Sequence, residues 1–352
     1  MAQDEALSRL KPGFEFPWGH HPMTVTFLNR WLLFFGESMN NLSRSTRGYL
    51  IALTATVIWS TTGILISYLV VTYSLPSLVL AFWRDLFVSF GMAVGLLLFS
   101  RPLFQLDHKH WGFMVLYGLT LAIFNSMWTF SVQYNGAAVA TVMAFSSPAM
   151  TAILSRIILK ERFSNIKIIS ILLSLAGIVF VSGAYDPSTW NLNPLGIIFG
   201  LLSGSMFAIY NLEGKHASDT HINSWTALLY SFAWATVFLL FFNLGNDLFI
   251  TGKGAFADML WLGNSVSGWG ILFFLGVAPT LGGFGLYTLS IRYLSPTTSN
   301  LIATLEPAFT AIWAYFWLNE ILTGTQLFGG LLVLTGVILL RFGEGGTESN
   351  VS

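Results

Sequence analysis

The 352-residue chain contains no cysteine. That excludes a disulfide framework, thiol chemistry and cysteine metal sites. Its six histidines, His20, His21, His108, His110, His216 and His221, all lie outside the apolar runs, so imidazole builds no metal site within them. Charge is scarce as well. Asp, Glu, Lys and Arg make up 9% of residues, against about a quarter in a soluble domain. Most of the surface therefore does not face water. Sixteen basic residues balance sixteen acidic ones, so no electrostatic footprint for nucleic acid exists. No Ser/His/Asp set, paired aqueous carboxylates or metal-ligand spacing is found, and the expectation is a protein that is not an enzyme and needs no cofactor. What fills the chain is 54% hydrophobic and 16% aromatic.

A segment occurs twice. Tyr134, Pro148, Glu161 and Gly177 fall on Tyr293, Pro307, Glu320 and Gly336 when the numbering is shifted by 159, without a gap. Each copy is an apolar run with a mid-segment proline, a Glu, a polar step and a second apolar run. In lipid that is a helical hairpin. The first copy's turn holds Arg156, Lys160, Arg162 and Lys167, and all four fall on uncharged residues in the second copy. Because Lys and Arg concentrate in cytoplasmic loops, the two hairpins are expected to point in opposite directions. An odd number of spans per repeat produces that inverted arrangement, as in many secondary transporters.

Ten apolar runs of spanning or near-spanning length are expected near 48–71, 77–99, 111–132, 137–159, 166–184, 194–212, 224–244, 268–290, 297–318 and 325–340. Breakers such as Ser74-Leu75-Pro76, Asn135-Gly136 and Asn193-Pro194 separate them. The fold class is thus an all-α polytopic membrane protein of ten transmembrane helices, five per repeat, around a central cavity. Residues 47–185 and 194–342 form the repeats, with a cytoplasmic tail at 343–352. Residues 1–46 form a cytoplasmic extension. Its apolar run Trp31 to Phe35 is too short to cross about 30 Å of hydrocarbon, and is either an amphipathic surface helix or an unordered tail. With both termini in the cytoplasm, Arg101, Lys109, the Arg156–Lys167 group, Lys215, Arg292 and Arg341 lie inside, and the outside loops keep only Lys253. The enlarged 245–267 loop lies outside and is expected to carry a short surface helix around Phe256 to Leu262.

Ionisable residues within lipid mark functional positions by default. Glu306 lies near the middle of the ninth run beside Pro307, whose missing N–H disturbs the helix ladder. It suits proton coupling, cation binding or a substrate ammonium; the alternative is a protonated glutamate bonded to a neighbouring helix. Arg84 and Asp85 share the second run. Adjacent helical residues point about 100° apart, so no mutual pairing is expected. Arg84 is then a ligand for a solute carboxylate, a partner of Glu306, or half of a structural ion pair. Trp59, Asn125, Trp128, Ser147, Tyr210, Tyr287 and Asn300 are candidates for a cavity lining, against the alternative of interhelical hydrogen bonding.

The runs Leu305-Glu306-Pro307-Ala308, Trp317-Leu318-Asn319-Glu320 and Gly329-Gly330-Leu331-Leu332, with Ser147-Pro148-Ala149 and Leu159-Lys160-Glu161 in the first half, resemble EamA-type domains of the drug/metabolite transporter superfamily. The resemblance covers about residues 48–342. It implies a ten-helix basket of two inverted repeats, and a carrier of amino acids, metabolites or drugs, often outward and often coupled to protons or to exchange. Its partners are a small-molecule solute, membrane lipid and protons; neither nucleic acid nor a particular oligomeric state is implied. The localisation expected is the plasma (inner) membrane, multi-pass. Two other readings compete: a polytopic sensor or scaffold working through 1–46, and a lipid-modifying enzyme built on Asp107, His108 and His110.

Overall fold

A computed structural model describes residues 43–160, 164–181, 183, 185–186, 193–246, 258–318 and 323–348. The extension's apolar run, Glu161, Glu320 and Lys253 fall outside them. The described residues are helical with no strand. In order they form α1 (Arg44–Trp59), α2 (Thr61–Tyr73), α3 (Ser77–Phe99), α4 (Trp111–Ala144), α5 (Ser147–Ile158), α6 (Asn165–Val181), α7 (Pro194–Asp219), α8 (Ser224–Gly245), α9 (Val266–Leu275), α10 (Leu281–Ser290), α11 (Pro296–Ala303), α12 (Glu306–Leu318) and α13 (Gly324–Glu348). Five helix starts follow the rule that a short polar side chain accepts from a free N–H of the first turn. Ser43 caps Thr46, Asn193 caps Leu195, Asn223 caps Trp225, Ser265 caps Gly268 and Ser295 caps Thr298. Pro194 and Pro296 follow their caps, where a missing N–H costs nothing.

Among the described residues, six stretches are long and apolar enough to cross a membrane: Arg44–Val70, Ser77–Leu98, His108–Ser131, Pro194–Asp219, Ser224–Gly245 and Val266–Ser290. Shorter apolar helices cover Ser147–Ile158, Asn165–Val181 and Leu327–Leu340. Large side chains point outward where a soluble protein would carry charge; Leu98 is 72% exposed, Ile157 69% and Phe316 67%. Such a surface suits hydrocarbon, where helices satisfy their own backbone. The protein is a polytopic helical membrane protein.

Several runs depart from simple spans. The first is broken at Ser60, between α1 and α2. The eighth contains a π-helical segment, Gly276–Thr280, around Pro279. The Trp111–Ala144 stretch cannot be straight: a Cβ on Gly200 would lie 2.8 Å from Ser131 Oγ and 2.5 Å from Met143 Cβ. Twelve residues of straight helix would separate those two by about 18 Å. The chain therefore doubles back between them. Within the 245–267 loop, residues 258–264 form a series of turns, and the start of the helix expected around Phe256 to Leu262 lies outside the described residues.

The two copies of the repeated segment meet along α6 and α13. Gly177 would place a Cβ 2.6 Å from Gly329 O, and Gly336 would place one 2.8 Å from Ser170 O. As one helix ascends the other descends, so the pair runs antiparallel. Under the shift of 159, Gly177 becomes Gly336 and Ser170 becomes Gly329, so the two contacts are images of each other. The largest core packs α3, α4, α7, α8 and α10 around Tyr117, Tyr210, Phe232 and Tyr287.

Candidate functional site

The repeat extends to the helix breaks. α4 ends at Ala144 and α5 begins at Ser147; α11 ends at Ala303 and α12 begins at Glu306. Adding 159 carries the first break onto the second. The bonding matches too: Ser146 N–H reaches Met143 O at 3.1 Å, and Leu305 N–H reaches Ile302 O at 3.1 Å. Pro148 and Pro307, second in their half-helices, contribute no N–H to the ladder. Half-helix N-termini inside a membrane protein present free N–H groups and a positive dipole end.

Equivalent positions carry different chemistry. Ser147 is buried, and its Oγ donates to Asn300 Oδ1 at 3.3 Å. Asn300, fully buried, also donates through Nδ2 to Thr151 Oγ1 at 2.8 Å. Thr151 receives a longer contact from Asn211 Nδ2 at 3.5 Å, and Asn211 Oδ1 accepts from Tyr287 Oη at 2.6 Å. A polar track thus links α5, α11, α7 and α10. Glu306, at Ser147's position, is half-buried in the first turn of α12. Among the described residues no hydrogen bond or ion pair reaches its carboxylate. Two turns of α12 lean instead on the break in the first span: Thr310 Oγ1 donates to Ser60 O at 3.0 Å and Trp313 Nε1 to Ser60 Oγ at 2.9 Å.

Trp59, beside that break, lies in an aromatic cluster. Its ring centroid is 4.3 Å from Phe284, 5.6 Å from Tyr287 and 6.0 Å from Phe207. Gly283 permits this approach, since a Cβ there would come within 3.0 Å of Trp59 Cβ. Tyr210, fully buried, stacks on Tyr117 at 4.5 Å. Trp128 is half-buried and has no ring contact or hydrogen bond among the described residues; Phe124, one turn before it, stacks on Phe207 at 5.0 Å.

Arg84 corrects the sequence expectation. It pairs with its neighbour Asp85, Nη2 to Oδ1 at 3.1 Å, and Asn125 closes a ring by accepting from Arg84 Nη2 at 2.8 Å and donating to Asp85 Oδ2 at 2.8 Å. Directions about 100° apart do not keep two long polar side chains apart when Asn125 on α4 holds both. All three are buried. No contact between Arg84 and Glu306 is present.

The structure therefore gathers Trp59, Tyr210 and Tyr287 in one cluster, and Ser147, Asn300 and Tyr287 along one track. Arg84 and Asn125 stand apart in their own ring. Glu213 was missed by sequence reasoning, which ends the sixth run at Leu212. The helix continues to Asp219, and Glu213 is 9% exposed. Its signal was the buried face Tyr210, Glu213 and Ala217 at helical spacing. Asp107 and His108, by contrast, pair with exposed Lys109 and stack on Trp111.

The model of the EamA-like transporter family matches residues 46–183 and again 194–342. A protein of Archaeoglobus fulgidus named as an uncharacterized transporter is 28% identical over 63% of this chain and 74% of its own. A Bacillus subtilis protein, uncharacterized transporter YwfM, is 23% identical over 83% of this chain and 92% of its own. A crystal structure of another protein superposes with a TM-score of 0.68 over 85% of this chain and 98% of that one, at 16% identity, a likeness of fold alone. With both repeated halves matched, the chain belongs to the EamA-like transporter family, within the drug/metabolite transporter superfamily, and is a multi-pass membrane transporter.

Proposed function

We propose that this protein is a secondary transporter moving a small organic solute, an amino acid or related metabolite, outward across the plasma membrane. Residues 47–185 and 194–342 act as two five-span repeats of opposite orientation, ten spans in all, with both termini in the cytoplasm. Alternating access arises as one repeat rocks against the other around the broken helices. The antiparallel pair α6 and α13 supports the inverted arrangement. The observation that carries the reading is Glu306, a carboxylate without a partner among the described residues, starting a half-helix at the position where the other repeat has a bonded serine.

A carboxylate there suits a proton or a solute ammonium, and the partly exposed rings of Trp59 and Trp128 favour a solute with apolar or aromatic character. Arg84, Asn125, Ser147, Tyr210, Asn300 and Tyr287 hold the helices that form the path, with the Ser147–Asn300 bond joining the two repeats. The test is flux of radiolabelled amino acids and metabolites in proteoliposomes of the purified protein, with and without a pH gradient and with solute preloaded on the far side. Saturable flux of one chemical class supports the carrier. Gradient-driven accumulation identifies proton coupling, and acceleration by preloaded solute identifies exchange. An inert protein across the panel would argue against the reading.

A further inference from the structure

Outside the Glu306 site, a buried carboxylate with an unsatisfied oxygen lies on α7 near unsatisfied tyrosine hydroxyls. Glu213 Oε2 and the hydroxyls of Tyr117, Tyr210 and Thr288 are all buried, and none has a hydrogen bond of good geometry among the described residues. Native proteins rarely leave such atoms unpaired, and here the Tyr117 hydroxyl approaches α7 beside Glu213 while Tyr210 stacks on Tyr117. Tyr117 and Tyr210 stack at 4.5 Å. Thr288 faces the Tyr210 hydroxyl. Glu213 Oε1 accepts from Thr120 Oγ1 at 3.2 Å, leaving Oε2 free. A Cβ on Gly214 would lie 3.1 Å from Tyr117 Oη, so a glycine follows Glu213 where that hydroxyl approaches α7.

The charges around Glu213 leave it uncompensated. On α7, Lys215 is engaged by Asp219 at 2.7 Å, and exposed His216 packs against Phe113. From α4 it faces Tyr117 and Thr120, and Tyr287 on α10 adjoins Tyr117 and Tyr210. No ion pair reaches Glu213 among the described residues. An isolated carboxylate at this depth needs a cation, and the smallest that fits among oxygen atoms is the proton. Glu213 also sits six residues from the end of α7, about 9 Å along the axis, near water. In the other direction, Tyr287 begins the polar track that ends at Ser147.

We propose that Glu213 is a second proton-binding site of the transporter, which exchanges protons with water at the Lys215–Asp219 end of α7. The inference rests on the transport reading above. Glu213 Oε2 takes a proton from hydronium, releasing water, and returns it to water, so charge and atoms balance.

The test uses full-length protein in proteoliposomes, comparing wild type, Glu213→Gln and Glu213→Asp. Solute counterflow, which needs no gradient, reports carriage; a trapped pH dye reports proton movement during solute flux; pH-step infrared difference spectra report the carboxyl itself. The inference expects Glu213→Gln to keep counterflow within twofold of wild type, to lose at least tenfold in solute-coupled proton movement, and to lose a carboxyl band that Glu213→Asp retains. Unchanged proton movement in Glu213→Gln would overturn it, as would a wild type that exchanges solute without moving protons. Loss of counterflow for ammonium-bearing solutes alone would also overturn it, by making Glu213 a solute ligand. If wild type carries no solute, the transport reading fails separately, and the carboxyl band still decides: identical spectra in wild type and Glu213→Gln reject the site.

Discussion

Arg84 and Asp85, neighbours on α3, form a buried ion pair at 3.1 Å that Asn125 closes into a ring across the interface with α4. Both ions have left water, and among the described residues each side chain is satisfied by the other two members. Asp85→Asn removes the negative charge and leaves the Arg84 guanidinium uncompensated. Breaking one partner of a buried pair costs about 3–5 kcal/mol, so this variant should melt well below wild type in detergent. Asn125→Ala, which keeps the ion pair, should melt between the two. Equal melting of all three would show that the ring does not hold α3 to α4.

The α6–α13 crossing predicts a contrast among glycines. Gly177→Ala and Gly329→Ala each force a Cβ to within 2.6 Å of a facing backbone oxygen, which backbone cannot yield cheaply. Each should destabilise by about 1–3 kcal/mol. Gly95→Ala, with nothing within 4 Å, should be neutral or slightly stabilising through helix propensity. Thermal melts of the three single variants check this ordering.

The absence of cysteine makes topology directly measurable. Lys109→Cys and Asn264→Cys introduce single thiols at a helix-linking loop and at the turns before α9. In intact cells an impermeant maleimide should label Asn264→Cys and spare Lys109→Cys until the membrane is opened. Labelling of both from outside would refute the orientation drawn from the loop charges.

Asn300 ties the second repeat to the first through Ser147 and Thr151. Asn300→Ala orphans the Ser147 hydroxyl and leaves Thr151 only the longer contact from Asn211, at about 1–3 kcal/mol in total stability, and removes a link that must hold or break as the repeats rock. Solute flux should fall severalfold while Asn300→Ser, which keeps one donor, recovers part of it. Flux equal to wild type in Asn300→Ala would remove this bond from the transport path.

The sequence made the repeat, the mid-segment prolines and Glu306 legible because each leaves a local mark: a shift of 159 without gaps, a residue lacking N–H, a charge inside an apolar run. Where the helices break was less plain. The turns fall at Phe145-Ser146 and Thr304-Leu305, three and two residues before each proline, since Pro148 and Pro307 sit in the first turn of new helices. The Arg84–Asp85 pair was hidden because it depends on Asn125, forty residues away, and tertiary contact overrides local direction. Glu213 was hidden because a Glu-Gly-Lys sequence reads as an aqueous end, while Tyr117 and Thr120 on α4 bury it.

Glu306 carries the central claim, and its conservative variant tests it most directly. Wild type and Glu306→Gln would be reconstituted side by side and their solute accumulation measured under an imposed pH gradient, with counterflow as the control for folding. The account predicts gradient-driven accumulation in wild type that is abolished in Glu306→Gln while counterflow persists. Gradient-driven accumulation unchanged in Glu306→Gln would contradict it and return this carboxylate to a structural role.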